Sequence, residues 1–258
     1  MKVVIFAGGI GSRISEESHL KPKPMIEIGG KPILWHIMKI YENQGFNEFV
    51  ICLGHLKNVI IDYFCKIPVN DSDFTIDLAN DSVEVHRRHE DTFKITFVDT
   101  GLETMTAGRL KRIENHLDGS DFMLTYGDGL ANVDLKKLLE FHKSHGKTAT
   151  LTAVQPEGRF GGMEIQNDGM VSLFREKPKG DGGWINGGYF VLKNDVFNYL
   201  NEDADSLMWE EQPLEDLTKA NQLMSFKHNG FWKCLDALRD KVELERLWEN
   251  EKAGWKTW

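Results

Sequence analysis

The chain has 258 residues, 41% hydrophobic and 28% charged, an ordinary globular composition with room for one large domain or two small ones. A net charge of −9 argues against broad nucleic-acid binding, where a basic face supplies most of the affinity, and no apolar run reaches bilayer length. The three cysteines, Cys52, Cys65 and Cys234, are odd in number and widely spaced, so neither a disulfide framework nor a zinc site is expected.

The first apolar run, residues 3–6, predicts a buried strand that opens into Ala7-Gly8-Gly9-Ile10-Gly11-Ser12-Arg13. A strand leading into a glycine-rich turn brings bare backbone N–H groups up to a phosphate, and Arg13 and Lys23 add full charges beside it. Two common phosphate motifs do not fit. A dinucleotide fingerprint needs glycine where Ile14 stands, and Gly146-Lys147-Thr148 has Phe141 where a P-loop needs its first glycine. The apolar stretch at residues 3–7 is also too short for a signal-peptide core, and a reducing cytoplasm fits best.

Helical spacing of Ile33, Leu34, Ile37, Met38, Ile40 and Tyr41 predicts a helix ended by Gly45, followed by a central strand at residues 49–53 and a weaker helix at 57–66. Leu110, Ile113 and Leu117 mark another helix, and residues 122–126 a third central strand. Asp134 is placed to cap a helix carrying Leu135, Leu138, Leu139 and His142, closed by Gly146. Strands at 148–154, 163–166, 170–175 and 185–192 follow, with a hairpin at Ile165–Met170, and residues 208–220 and 236–250 are helical. Strand–helix alternation of this kind predicts a doubly wound, mostly parallel α/β sheet. We expect one domain over 1–258, in which residues 151–258 complete a substrate pocket begun by residues 1–150.

In open α/β sheets ligands sit at the carboxyl ends of the strands, where Tyr126 delivers Gly127-Asp128-Gly129. A carboxylate there suits Mg²⁺, which takes one or two protein carboxylates and completes its shell with phosphate and water; the plainer alternative is a turn aspartate. Asp236 is either the N-cap of the last helix, a second metal ligand, or both. Arg13, Lys21, Lys23, Arg109, Lys111, Arg112, Arg175, Lys177 and Lys179 flank glycine-rich or loop-like segments, which suits a small anionic substrate. His86, Arg87, Arg88 and His89, and the pair His142 and His145, lack a third metal ligand and are expected to be solvated. Trp232, Trp248, Trp255 and Trp258 fit either core or an oligomer contact.

Gly8-Gly9-Ile10-Gly11-Ser12-Arg13, Lys21-Pro22-Lys23-Pro24-Met25, Tyr126-Gly127-Asp128-Gly129, Glu176-Lys177-Pro178-Lys179-Gly180 and Ile185-Asn186-Gly187-Gly188 occur in the order found in sugar-1-phosphate nucleotidyltransferases, which the chain resembles over its whole length. Further motifs, among them Thr106-Ala107-Gly108-Arg109 and Trp209-Glu210-Glu211-Gln212-Pro213, resemble the members that act on CTP and glucose 1-phosphate. The resemblance implies a Rossmann-like nucleotidyltransferase fold and the formation of CDP-glucose and pyrophosphate, for deoxysugar and O-antigen synthesis in the cytoplasm.

It also implies roles. Gly8, Gly9, Gly11, Ser12, Arg13, Lys23, Thr106, Gly108 and Arg109 would border the nucleotide. Arg109, Glu176, Lys177, Asn186 and Gly187 would meet the sugar phosphate, and Asp128 and Asp236 would hold Mg²⁺. Arg13, Lys23, Asp128 and Lys177 would carry catalysis, and the protein would be a homo-oligomer. Two alternatives stay open: another nucleotide or sugar phosphate on the same scaffold, and a catalytically silent nucleotide-binding regulator.

Overall fold

The computed structural model describes residues 1–9, 21–70, 73–86, 90–156, 162–166, 169–175 and 183–258. The strands in chain order are β1 (Lys2–Phe6), β2 (Glu27–Ile28), β3 (Lys31–Pro32), β4 (Glu48–Leu53), β5 (Phe74–Asp77), β6 (Ser82–Val85), β7 (Lys94–Asp99), β8 (Phe122–Tyr126), β9 (Gly129–Ala131), β10 (Ala149–Val154), β11 (Gly162–Ile165), β12 (Val171–Arg175), β13 (Ile185–Leu192), β14 (Leu223–His228) and β15 (Trp232–Cys234). The α-helices are α1 (Ile33–Glu42), α2 (Lys57–Asn70), α3 (Thr106–Arg112), α4 (Leu135–His145), α5 (Gln212–Lys219) and α6 (Leu238–Glu249).

Seven strands form one sheet in the order β14-β10-β13-β8-β1-β4-β7. All of its pairings are parallel except the two made by β13, which runs against both β8 and β10. The mostly parallel, mixed sheet expected from the alternation is therefore present. Its central strands are apolar without a break because both faces are covered. Val3, Ile5, Phe49, Ile51 and Met123 pack into the layer that holds α1, α2, α4 and Leu244 of α6. Val4, Phe6, Val50, Cys52, Phe122 and Leu124 pack into the opposite layer, with α3 and α5.

Helix ends follow local chemistry. Asp134 accepts the Lys137 N–H at 2.9 Å, and Gly146 closes α4 at φ 67°. Helix α1 stops at Glu42, and the chain turns through Gly45 at φ 93°. The strands β7 and β14, the short β9–β15 ladder and the β5–β6 hairpin were not among the expected elements, and α2 runs four residues beyond its expected end.

One expectation about side chains is corrected, and of the two readings of the C-terminal tryptophans the core one holds for Trp255. His142 is buried rather than solvated, and its Nδ1 and His145 Nε2 each lie 2.8 Å from Thr150 Oγ1. Trp255 is also buried. It packs with Trp248 around the buried His36, and Trp258 lies against His36 and Trp35, so these rings close the C-terminal segment onto α1 within one chain. Arg87, Arg88 and His89 lie outside the described residues.

Candidate active site at the carboxyl edge of the sheet

β1, β4, β7 and β8 all end on the same edge, and because β13 is reversed its first residues arrive there too, with Ile185 opposite Val154. Beyond β8 the Gly127 N–H donates to Phe6 O at 2.9 Å, which sets Asp128 beside the turn after β1. The β9–β15 ladder then closes a long loop. Cys234 pairs with Gly129, and the Leu235 N–H donates to Asp128 O at 2.9 Å. Asp236 thus arrives next to Asp128. Its place is not that of a cap: Ala237 precedes α6, and Asp240 Oδ2 accepts the Asp236 and Ala237 N–H groups at 3.0 and 2.8 Å.

Lys23 lies on a single 3-10 turn, Lys23–Met25, whose Pro24 and Met25 are buried. Its Nζ donates to Asp128 Oδ2 and to Asp236 Oδ1, both at 2.7 Å, with the lysine side chain only 13% exposed. One oxygen from each carboxylate and the Cys234 Sγ lie within 4.8 Å of one another, the one such cluster among the described residues. Two like charges at that separation repel by on the order of 3 kcal/mol at an effective dielectric near 20, so the pair needs a cation. Burial acts to depress the Lys23 ammonium, but the carboxylates, Asp128 first, outweigh it and hold its pKa above the ordinary lysine value. Burial pushes the Cys234 thiol up, and Asp128 and Asp236 push the same way.

A two-carboxylate set suits Mg²⁺, which prefers oxygen donors and completes its shell with phosphate and water. The thiol is a soft donor that Mg²⁺ does not seek. The residues present therefore fit the cation expected from the sequence, through Asp128 and Asp236.

Arg109 is 4% exposed and lies beneath the glycine turn. Its Nη1 donates to Leu53 O at 3.0 Å, Thr100 Oγ1 at 2.7 Å and Gly101 O at 2.9 Å; its Nη2 donates to Gly8 O at 3.0 Å and Leu102 O at 3.4 Å. Burial lowers its pKa. These bonds tie together the turns after β1, β4 and β7, a task different from the phosphate contact implied by the resemblance. They also give Gly8 a specific reason: a Cβ there would stand 2.2 Å from Arg109 Nη1. Gly9 is exposed, with open space where a Cβ would point.

Thr106 and Gly108 are locked to the segment before α5. Thr106 Oγ1 donates to Glu210 Oε2 at 2.7 Å and accepts the Trp209 N–H at 2.7 Å, and a Cβ on Gly108 would meet Asp205 Cα at 2.6 Å. The other Glu210 oxygen accepts the Tyr126 hydroxyl, which burial and Glu210 together keep protonated. Tyr126 also lies beside Asn186, whose Oδ1 accepts the Gly188 N–H at 2.8 Å. Gly187 O accepts the Trp232 indole N–H at 2.8 Å. Glu210 and Tyr126 therefore connect the expected nucleotide and sugar elements, although neither was among the candidate residues.

Of the expected cations, Arg112 pairs with Asp205, Lys111 bonds Asn201 O at 2.7 Å and Lys21 pairs with Glu27 at 2.6 Å. Gly11, Ser12, Arg13, Glu176 and Lys177 lie outside the described residues.

A mostly parallel sheet with a glycine turn, a buried arginine tie and paired carboxylates at its carboxyl edge defines an α/β nucleotide-handling enzyme. Residues 2–243 match the family model for nucleotidyl transferases, and the chain belongs to that family. Among its relatives, the glucose-1-phosphate cytidylyltransferase of Salmonella typhi is 52% identical, with both chains covered completely. A probable glucose-1-phosphate cytidylyltransferase of Bacillus subtilis (strain 168) is 42% identical, again over the whole of both chains. Among solved structures, HddC from Yersinia pseudotuberculosis superposes with a TM-score of 0.69 at 25% identity, covering 96% of this chain and 99% of that one.

Proposed function

We propose that this nucleotidyltransferase moves CMP from CTP to α-D-glucose 1-phosphate, giving CDP-glucose and pyrophosphate. The observation that carries the reading is the meeting of Lys23, Asp128 and Asp236 at the carboxyl edge beside the Gly8–Gly9 turn. Full-length relatives named for this activity, at 52% and 42% identity, support the choice of base and sugar.

In the reaction an oxygen of the sugar phosphate attacks the α-phosphorus, and the bond from that phosphorus to the pyrophosphate oxygen breaks. The attacking oxygen is already anionic at neutral pH, so no general base is required. The barrier is mainly charge repulsion and alignment, which fixed cations and positioning lower. Mg²⁺ held by Asp128 and Asp236 would neutralise charge on the α-phosphate and the leaving group. Lys23 would bind phosphate oxygens. Arg109 holds the glycine turn that receives them. Asn186 and Gly187, beside Tyr126 and Trp232, would face the sugar. Arg13, Glu176 and Lys177 keep the phosphate and sugar roles that the resemblance implies.

A homo-oligomer is part of the same reading. Hairpin β5–β6 supports it: Phe74 faces Val85 and Ile76 faces Val83, all four exposed, so one hairpin face is apolar and uncovered within the chain. Light scattering at micromolar concentration should give a mass above that of one chain.

Pyrophosphate release from glucose 1-phosphate with Mg²⁺, comparing CTP, UTP, dTTP and ATP, tests the activity. Turnover with CTP is expected. Turnover only with another nucleotide would sink the cytidylyl assignment, and silence with all four would overturn the reaction.

A further inference from the structure

We propose that Lys23 and the divalent cation compete for one place, and that this competition couples metal binding to nucleotide binding. The proposal rests on the nucleotidyl-transfer reading only for the identity of the anion. A single ammonium bonds both carboxylates at 2.7 Å, using the two residues that would otherwise hold the metal. The Lys23 side chain is 13% exposed, so the charge is not simply returned to water when it leaves those oxygens.

Four charge arrangements follow. With no ligands, Lys23 neutralises part of the carboxylate pair. A metal arriving alone must displace the ammonium and leave it mostly buried beside a dication. A triphosphate arriving alone finds the ammonium already engaged and two carboxylates close by. When both arrive, the metal takes the carboxylates and the ammonium turns to phosphate, so every charge has an opposite partner. Metal and nucleotide therefore raise each other's affinity through Lys23, and the two enhancements are equal by linkage.

The test measures Mn²⁺ binding by the electron paramagnetic resonance of the free ion, with and without CTP, in the wild type, Lys23→Met and Lys21→Met. Lys23→Met keeps an unbranched side chain but has no charge, and Lys21 pairs with Glu27 instead of the site carboxylates. Lys23→Met is expected to bind Mn²⁺ alone at least tenfold more tightly than the wild type, while Lys21→Met stays within about twofold. The enhancement by CTP should shrink at least tenfold in Lys23→Met; chelation of Mn²⁺ by CTP in solution is common to all three proteins and cancels.

Acylation footprinting of the wild type gives a second readout that needs no variant. Lys23 should be labelled slowly without ligands, faster with Mn²⁺ alone, and slowly again with Mn²⁺ and CTP. Equal Mn²⁺ affinity in wild type and Lys23→Met, or Lys23 labelling indifferent to Mn²⁺, overturns the competition while leaving the proposed activity standing. If Mn²⁺ binds neither protein, with or without CTP, the nucleotidyl-transfer reading of this site falls with it.

Discussion

Replacing Arg109 by methionine separates a structural tie from a direct phosphate ligand. Three acceptors keep other bonds in the variant. Leu53 O still accepts the Thr100 N–H at 3.0 Å and the Thr100 hydroxyl at 2.7 Å, and Gly8 O still accepts the His55 N–H at 3.2 Å. Thr100 Oγ1 remains bonded as that donor. Gly101 O loses the guanidinium at 2.9 Å. An acceptor left without a partner costs about 2 kcal/mol, and each shared bond lost from Leu53, Gly8 and Thr100 about 1 kcal/mol, for a total of about 5 kcal/mol, while water replaces the long bond to the exposed Leu102. At about 2–4 °C per kcal/mol for a chain of this size, the melting temperature should fall by about 10–20 °C. The turn carrying Gly8 and Gly9 loosens with it, so KM for CTP should rise and kcat fall. Arg109→Lys should recover less than half of either loss, because one ammonium cannot reproduce two separated guanidinium nitrogens. Differential scanning fluorimetry and steady-state kinetics on the same preparations decide the matter. A melting temperature within about 3 °C of the wild type, combined with a tenfold rise in KM for CTP, would refute the tie and place the guanidinium on phosphate.

Three further outcomes are expected. Asp128→Asn removes one of the two carboxylates paired with Lys23, and should lower kcat by at least about tenfold and raise the Mg²⁺ concentration for half-maximal rate; unchanged Mg²⁺ dependence would exclude it as a ligand. Tyr126→Phe removes the hydroxyl that bonds Glu210 beside Asn186, and should raise KM for glucose 1-phosphate several-fold with little change for CTP; equal changes in both would contradict the link. Burial pulls His36 down to about 4 from its ordinary 6.5. The unfolded chain binds that proton more readily, so the stabilisation is complete above pH 6.5 and is lost as pH falls toward 4, at most about 3 kcal/mol. His142, also lowered to about 4 by burial and then by His145, acts in the same direction. Melting curves between pH 7 and 4.5 should therefore be flatter for His36→Gln than for the wild type, and parallel curves would rule His36 out.

Within the large sheet, the strands that stood out most plainly in the sequence were those whose burial is two-sided. Residues 3–6, 49–53 and 122–126 are unbroken apolar runs because each central strand has a layer on either face. β7 and β14 are the outermost strands and only partly buried, so Lys94-Ile95-Thr96-Phe97 and Leu223-Met224-Ser225-Phe226-Lys227 carry mixed patterns that do not stand out. Asp128 was legible because it directly follows a central strand. Asp236 was ambiguous because its partnership depends on the three-residue strands β9 and β15, too short to announce themselves. The role of Arg109 was hidden for another reason. Its position beside Thr106 and Gly108 was plain, but the inward direction of its side chain depends on the carbonyls of three distant turns.

The strand order also shapes how the chain assembles. β1 is made before every other strand of the sheet yet ends in its middle, with Val3 opposite Phe49 on one side and Met123 on the other. β1, β4 and β7 can pair as soon as about the first hundred residues are available, but the far edge of β1 then stays bare until β8 is made. A nascent chain at that stage presents Val3, Val4, Ile5 and Phe6 along an unpaired parallel edge. Truncation after β7 should therefore give an aggregating fragment, whereas extension through β8 covers the exposed strand.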